Sequence, residues 1–115
     1  MSGKCIFCDI AGGKSPAKFE YKDSDAIAIK DINPKAPVHI LIISKKHIPS
    51  IVNIRKEDEQ LIGHLVWVAH EIARKKGLNG EGYKLVFNVG KFGGQIIDHI
   101  HLHLLGGQPL KNNLA

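Results

Sequence analysis

The sequence HIHLHLL at positions 99–105 decides the fold, because three histidines alternate in it with aliphatic residues. Alternation at every second position is the periodicity of a β-strand, whose successive side chains point to opposite faces. We therefore predict a strand over His99–Leu105, with three imidazoles on one face and buried aliphatic side chains on the other. On an α-helix these imidazoles would not share a face.

A fourth histidine, His39, interrupts the apolar run Val38–Ile43, which predicts a buried central strand. We expect both strands to lie in one small sheet, with His39 beside His101 or His103. An imidazole nitrogen attacks phosphorus well when its other nitrogen holds it in the correct tautomer. Two functional interpretations stay open at this point. One is nucleophilic catalysis by a histidine, and the other is a catalytic metal, because His-x-His on a strand offers two good zinc ligands.

The remaining secondary structure is predicted from shorter patterns. Polar turns separate three further strands, over Phe19–Lys22, Ala26–Lys30 and Tyr83–Val89. A short helical segment is predicted over Cys5–Ile10. One long helix is predicted over Glu57–Lys76, since acidic residues occupy its first turn and basic residues its last.

The long helix is apolar on two sides. Leu61, Leu65, Val68 and Ile72 form the expected stripe, whereas Trp67 lies roughly opposite Leu65. A helix that is apolar all round needs two partners. Its own sheet is one partner, and a second copy of the chain would supply the other, so we predict a homodimer. The alternative is a single exposed tryptophan.

Composition and charge limit the class of protein. The 115 residues are 43% hydrophobic, which predicts a single domain over residues 1–115. No apolar run is long enough to cross a bilayer and no signal-peptide core follows the first residue, so we expect a soluble, cytoplasmic protein with no membrane partner. The net charge of +5 comes from scattered basic residues without a nucleic-acid motif. We therefore expect no nucleic-acid partner. The mild positive charge either attracts small phosphorylated anions or is only that of an ordinary solvated surface.

Two further motifs carry chemistry. The segment Asn88–Gln95 contains three glycines and leads into the histidine strand, so we expect its N–H groups to cradle a phosphate. Cys5 and Cys8 form a C-x-x-C pair, whose spacing suits a metal or a redox pair better than a structural disulfide. A reduced pair packed in the core is a third interpretation.

The chain resembles the histidine triad family, whose signature is His-φ-His-φ-His-φ-φ with φ hydrophobic, and within it the Hint-like branch. The resemblance runs from about Cys5 to Gly107 and also includes Asn88; it rests on HIHLHLL (99–105), APVH (36–39), SKKHI (44–48), GGQ (93–95) and LGG (105–107). It implies an α+β fold, with one long and one short helix and a five-stranded antiparallel sheet. It also implies a dimer, joined through the long helix and a strand edge into a ten-stranded sheet.

The resemblance implies a hydrolase that cleaves purine nucleoside 5′-phosphoramidates, or related nucleotidyl substrates, at the α-phosphorus through a nucleotidyl-histidine intermediate. His101 would be the nucleophile, His103 would contact the phosphate and His39 would orient His101. Asp31 would accept hydrogen bonds from the ribose of an AMP-type ligand. The other implied nucleotide-binding positions are Ile6, Phe7, Ile10, Ile29 and Ile32 around the base, and Asn88, Gly94 and Gln95 beside the phosphate.

No catalytic cofactor is expected, because the imidazole itself is the nucleophile. Cysteine-bearing members of the family complete a structural zinc site with the histidine after the Lys-Lys pair and the first histidine of the triad. The ligands implied here are Cys5, Cys8, His47 and His99. Bound zinc would fix the N-terminal segment to the sheet and contribute folding energy.

The chain departs from the family pattern at Ile96, where a serine or threonine is common. Asp98 replaces a bulky residue, and the tail Gln108–Ala115 lacks a tryptophan that some Hint-like members carry. Isoleucine cannot help to protonate a leaving group. The alternatives are therefore a purine nucleotide-binding interaction module with little turnover, and a metal-dependent hydrolase that uses the histidine row.

Overall fold

The computed structural model describes residues 5–111. Met1–Lys4 and Asn112–Ala115 lie outside the described residues. The prediction about the N-terminal segment and part of the prediction about the tail fall on them. Within the described residues, no helix is long and apolar enough to cross a membrane.

One antiparallel sheet of five strands forms the centre of the molecule, in the order β1-β2-β3-β5-β4. Two helices accompany it, which confirms the α+β class, the five strands and the long and short helix. The elements in chain order are α1 (Ile6–Ala11), β1 (Phe19–Lys22), β2 (Ala26–Lys30), β3 (Val38–Ser44), α2 (Glu59–Lys75), β4 (Lys84–Val86) and β5 (His101–Gly106). Two single-turn 3-10 helices, Ile51–Asn53 and Lys56–Asp58, precede α2.

The two faces of the sheet pack against different helices, because side chains alternate along each strand. On one face, Ile40, Ile42, Leu102 and Leu104 pack with the buried stripe of α2. On the other face, the cluster consists of Phe7 and Ile10 of α1 with Ile27, Ile29, Leu41 and Ile43. The predicted burial of the aliphatic face of β5 is therefore confirmed.

Three predicted boundaries were wrong by two or more residues, and several others differ by one residue. The last strand begins at His101 instead of His99, because the N–H of Ile100 donates to the carbonyl of Ile48, 2.8 Å away, outside the sheet ladder. Strand β4 ends at Val86 instead of Val89, since its pairing with β5 ends at Val86 and His103 and residues 87–89 are irregular. Helix α2 begins at Glu59 instead of Glu57, because residues 56–58 form a tighter 3-10 turn.

The second apolar side of α2 stays uncovered within the described chain. Leu65, Val68 and Ile72 are buried, whereas Val66 and Trp67 are 41% and 55% exposed. The two apolar sides that the sequence predicts for this helix are thus present in the structure.

Candidate active site and metal centre

His39, His101 and His103, called the histidine row below, lie on the face of the sheet that α1 covers. In the register of β3 and β5, Leu41 is opposite His103 and Ile43 is opposite His101. His39 therefore approaches His103 diagonally, and their Nε2 and Nδ1 atoms are 2.9 Å apart. The expectation that His39 lies beside one of these two histidines is met at His103.

Hydrogen bonds fix the direction of this row. The backbone N–H of Lys35 donates to Nδ1 of His39 over 3.0 Å, so a neutral His39 carries its proton at Nε2. That proton is donated to Nδ1 of His103. His103 in turn keeps its own proton at Nε2, where it is a donor for an anion.

His101 is oriented separately. Its Nδ1–H donates to the carbonyl of His99 over 2.7 Å, which leaves the lone pair of a neutral ring on Nε2. The ring is 9% exposed and packs edge-on against Phe7, with the centroids 5.1 Å apart. His101 therefore combines a fixed tautomer with a free basic nitrogen, as a nitrogen nucleophile requires.

Two histidines of the row, His39 and His103, are held neutral. Burial lowers the pKa of His39, against the opposing effect of the nearby Asp31 carboxylate. Burial, reinforced by the neighbouring His101 and His39, lowers the pKa of His103 to about 4. At neutral pH the row consequently offers hydrogen-bond donors without a fixed positive charge.

Asp31 follows β2 and lies at the open end of the row. Its Oδ1 accepts the N–H of Asn33 over 2.8 Å, and its own N–H donates to the carbonyl of His39 over 2.9 Å. Its Oδ2 lies 3.4 Å from Nε2 of His39. The carboxylate is thus held in place by the chain itself, with one oxygen turned towards the histidines.

A cavity of about 1070 Å³ opens above this face. It is mostly apolar at the α1 end and polar at the histidine end, as a nucleotide requires. The predicted site residues that line it are Ile6, Phe7, Ile10, Ile29, Asp31, Ile32, His39, Asn88, Gly94, His101 and His103. Only Gln95 among the predicted nucleotide contacts does not line it.

Gln95 instead holds the glycine segment. Its Oε1 accepts the N–H of Gly90 over 2.9 Å, and its Nε2 donates to the carbonyls of Pro49 (2.6 Å) and Ile97 (3.0 Å). Asn88 closes the same segment with a bond from Nδ2 to the carbonyl of Gly93 over 2.8 Å. The structure therefore gives Gln95 a supporting position behind the cavity wall.

Four lysines line the cavity that the sequence reasoning did not single out. A lone lysine carries no motif, and only the folded chain brings these together. Lys84, for instance, joins the site because β4 pairs it with Leu105 on the cavity face. The lining residues that the sequence reasoning missed are Lys30, Asn33, Lys35, Leu41, Lys84, Val86, Ile97, Leu105 and Lys111, with Ile96 and Gln108–Leu110 previously noted only as departures from the family.

A second cluster lies at the N-terminal end of α1, where the four predicted metal ligands converge. The Nδ1 atoms of His47 and His99 are 3.1 Å apart, Sγ of Cys5 is 3.3 Å from Nδ1 of His99, and Sγ of Cys8 is 3.2 Å from Nδ1 of His47. Ligand atoms around a tetrahedral zinc ion are roughly 3.3–3.8 Å apart, given the usual bond lengths. The four donor atoms thus have the spacing of a zinc site.

The chemistry of the donors also fits zinc. Nε2–H of the buried His99 donates to the carbonyl of Ser44 over 2.7 Å, so the lone pair of Nδ1 faces the cluster. Such a bond from the second nitrogen is the usual support of a metal-ligating histidine. Burial, together with the adjacent Cys5 thiol, raises the pKa of Cys8 to about 11. A bound divalent cation has the opposite effect, since it stabilises the thiolate.

Comparison with known proteins finds relatives over nearly the whole chain. A family model described as "Scavenger mRNA decapping enzyme C-term binding" matches residues 4–113. The purine nucleoside phosphoramidase of Escherichia coli K12 is 42% identical over 115 residues, which cover 100% of this chain and 97% of that protein.

Solved structures match just as closely. A HIT family hydrolase from Legionella pneumophila has a TM-score of 0.94 and 44% identity, covering 97% of this chain and 100% of that one. A zinc-bound histidine triad family protein from Mycobacterium smegmatis has a TM-score of 0.79 and 31% identity, covering 94% and 78% of the two chains.

Proposed function

This chain belongs to the histidine triad family, and from that premise we propose that it cleaves purine nucleoside 5′-phosphoramidates, or related nucleotidyl compounds, at the α-phosphorus. It is a hydrolase of the histidine triad type. The observation that carries the proposal is the state of His101, whose Nδ1–H is bonded to a carbonyl while Nε2 stays free.

His101 acts as the nucleophile in this proposal. The lone pair of Nε2 attacks the α-phosphorus, the P–N bond of the substrate breaks, and a nucleotidyl-imidazole forms. The leaving nitrogen keeps the bonding pair and is protonated from solvent, since the side chain of Ile96 on the cavity lining has no proton to give. Water then attacks the phosphorus, the P–Nε2 bond breaks with its electron pair returning to Nε2, and the proton lost by the water passes to solvent, which leaves nucleoside monophosphate and a neutral imidazole.

His103 and His39 support that step as donors. Nε2–H of His103 binds a phosphate oxygen, and the donor strength is maintained because His39 holds the proton of His103 at Nε2. His39 depends in turn on the N–H of Lys35. The depressed pKa of His103 favours a neutral hydrogen-bond donor, which releases a product anion more readily than an imidazolium would.

The rest of the cavity accommodates the nucleoside. The apolar side chains of α1 and β2 enclose the purine, and Asp31 accepts hydrogen bonds from the ribose hydroxyls through its fixed carboxylate. Asn88 and Gly94 lie on the phosphate side, where Gln95 keeps the segment closed. The lysines around the lining supply a positive field that attracts the anionic substrate.

Cys5, Cys8, His47 and His99 hold a structural zinc ion in our proposal. Zinc there would supply only a closed tetrahedral anchor, because all four positions are taken by protein ligands and none remains for substrate. A second group, Asp31, His39 and His103, also brings its donor atoms close together. Its imidazoles are already bonded to each other, which favours the hydrogen-bonded row over a catalytic metal.

A homodimer is proposed from the uncovered side of α2 and the edge of the sheet. Val66 and Trp67 are exposed on the helix, and β4 is an edge strand on which Leu85 is also exposed. A second copy would bury these side chains and pair the open edge. Sedimentation that gives a clean monomer at micromolar concentration would exclude this assembly.

The second candidate function is a purine nucleotide-binding module with little turnover. The observation that favours it is Ile96, which lies on the cavity lining at 92% exposure in place of a hydroxyl-bearing residue. Tight AMP binding without release of product would support this candidate.

One assay set tests the proposal. The protein is incubated with adenosine 5′-phosphoramidate analogues, with and without a chelator, and intact mass is searched for a nucleotidyl adduct on His101. With a weak chelator that removes free metal but leaves the structural zinc bound, we expect turnover to persist. Turnover should disappear in His101→Ala, with His70→Ala as the control because His70 is only partly buried on α2 and does not line the cavity. Turnover that the chelator abolishes would instead indicate a metal-dependent hydrolase.

A further inference from the structure

The side chain and the backbone of His99 serve the two clusters at the same time. Its ring lies among the cysteines and His47, with Nδ1 towards them and Nε2–H bonded to Ser44. The backbone carbonyl oxygen of the same residue accepts Nδ1–H of His101 over 2.7 Å. Whatever fixes the ring of His99 therefore also fixes the acceptor that sets the tautomer of His101.

Phe7 makes a second connection between the clusters. Its ring is 3% exposed and packs edge-on against His99, with centroids 5.8 Å apart, and against His101, with centroids 5.1 Å apart. Phe7 also lines the cavity. One rigid ring thus contacts a metal-cluster histidine, the proposed nucleophile and the proposed base site.

Helix α1 makes the third connection, because its residues alternate between the two clusters. Cys5 is the N-cap residue, its thiol accepts the N–H of Cys8 over 3.4 Å, and Cys8 lies within the helix. Ile6, Phe7 and Ile10 of the same helix line the cavity. A helix of six residues has little stability of its own, so its position depends on its anchors.

From these three connections we propose that the Cys5/Cys8/His47/His99 cluster positions the nucleophile and the nucleotide cavity, so that a metal ion in the cluster and a nucleotide in the cavity strengthen each other's binding. The proposal rests on the proposed nucleotide and zinc sites. A purely structural anchor would raise the melting temperature without changing nucleotide affinity in the folded protein. A positioning cluster changes that affinity, and reciprocity requires the same factor in both directions.

Calorimetry with AMP and zinc tests the proposal. We expect the zinc-loaded protein to bind AMP about tenfold more tightly than the chelated protein, and saturating AMP to strengthen zinc binding by the same factor. ¹⁵N NMR should find His101 with its proton at Nδ1 in the zinc-loaded protein, and a mixture of tautomers after chelation. Equal AMP affinity with and without zinc would overturn the coupling while leaving the two sites intact. Absence of AMP binding to the zinc-loaded protein would overturn the proposed function and, with it, this inference.

A spectroscopic arm covers the case in which chelation unfolds the chain. Cobalt(II) replaces zinc, and its visible absorption reports the geometry of the thiolate and imidazole ligands. Adding AMP to the loaded, folded protein should shift these bands, and an unchanged spectrum at saturating AMP would overturn the proposal. The variant Phe7→Leu should reduce the shift. Phe87→Leu is the matched control, because Phe87 packs on the opposite face with α2, and it should leave the shift unchanged.

Discussion

Two neighbouring residues of β5 illustrate how differently the two faces of the sheet are built. Leu102 faces α2 and is 1% exposed among aliphatic side chains. His101 faces α1 and is almost as buried, yet its ring is bonded to a carbonyl and borders a cavity. One face therefore contributes stability by excluding water and filling space, whereas the other retains space and leaves Nε2 of His101 without a hydrogen-bond partner among the described residues.

Replacing His101 is expected to have the largest effect. His101→Ala removes the proposed nucleophile, so turnover of an adenosine 5′-phosphoramidate should fall by at least about a thousandfold. The aliphatic face stays intact, and the far-UV spectrum and AMP binding should persist. Steady-state kinetics and calorimetry measure both. A variant that retained a tenth of the activity would show that His101 is not the nucleophile.

Leu102→Ala is the reciprocal change on the adjacent residue. Truncating a fully buried leucine should lower the free energy of unfolding by about 3 kcal/mol, through lost burial and the cavity left behind. Urea unfolding measures this, with Val52→Ala as the control because Val52 is 75% exposed. Turnover per folded molecule should be kept. If it fell as far as in His101→Ala, the two faces would not be separable.

Asp23 lies in the turn between β1 and β2 and connects this hairpin to α2 through hydrogen bonds, a cluster that we call the polar latch. Asp23 accepts hydrogen bonds from Tyr21 and from His64 of α2, each over 2.6 Å, and from the N–H groups of Asp25 and Ala26. Despite burial, these bonds hold the pKa of Asp23 well below its usual range.

Asp23→Ala should lower the free energy of unfolding by about 2 kcal/mol at neutral pH, because it leaves several partners unsatisfied. Thermal or urea unfolding of the variant measures the loss. The contribution of Asp23 is present above the ordinary carboxyl pKa and is lost as the pH falls below it. A variant as stable as the parent at pH 7 would contradict the assignment of a latch.

The smallest expected effect is the pH dependence of stability from His103. Its pKa falls from 6.5 in the unfolded chain to about 4 in the folded protein, so between these values the unfolded chain binds more protons. The stabilisation is full above pH 6.5 and is lost as the pH falls towards 4. After discounting for solvent screening, the loss is about 1–2 kcal/mol. Unfolding at several pH values checks it, and His103→Gln should flatten the slope in this window.

The alternation in HIHLHLL was enough to predict the two faces of β5, and the apolar run around His39 was enough to predict its neighbour. These patterns are local, because side-chain direction in a strand has period two. The position of His99 outside the ladder could not be predicted locally, since it follows from a hydrogen bond between Ile100 and the distant Ile48. The same holds for Lys84, which reaches the cavity only through strand pairing.

The sequence predicted those residues of the candidate site that belong to recognisable motifs. Apart from Gln95, the residues implied to contact the nucleotide all line the cavity, and the four implied metal ligands come together. Gln95 differs because a glutamine in a glycine segment can bond either to an anion or to the backbone of its own segment. Its three backbone partners become visible only once residues 49, 90 and 97 are folded together.

The bond from the peptide N–H of Lys35 to His39 determines which substitutions the histidine row tolerates at position 35. An amide hydrogen does not titrate within the working range of a protein, and every amino acid except proline supplies one at position 35. The main-chain N–H of residue 35 thus sets the direction in which His39 donates its proton to His103. Most substitutions at position 35 leave this direction unchanged. Substitution of Lys35 can therefore change the charge at the cavity rim without changing the direction of proton donation between the histidines.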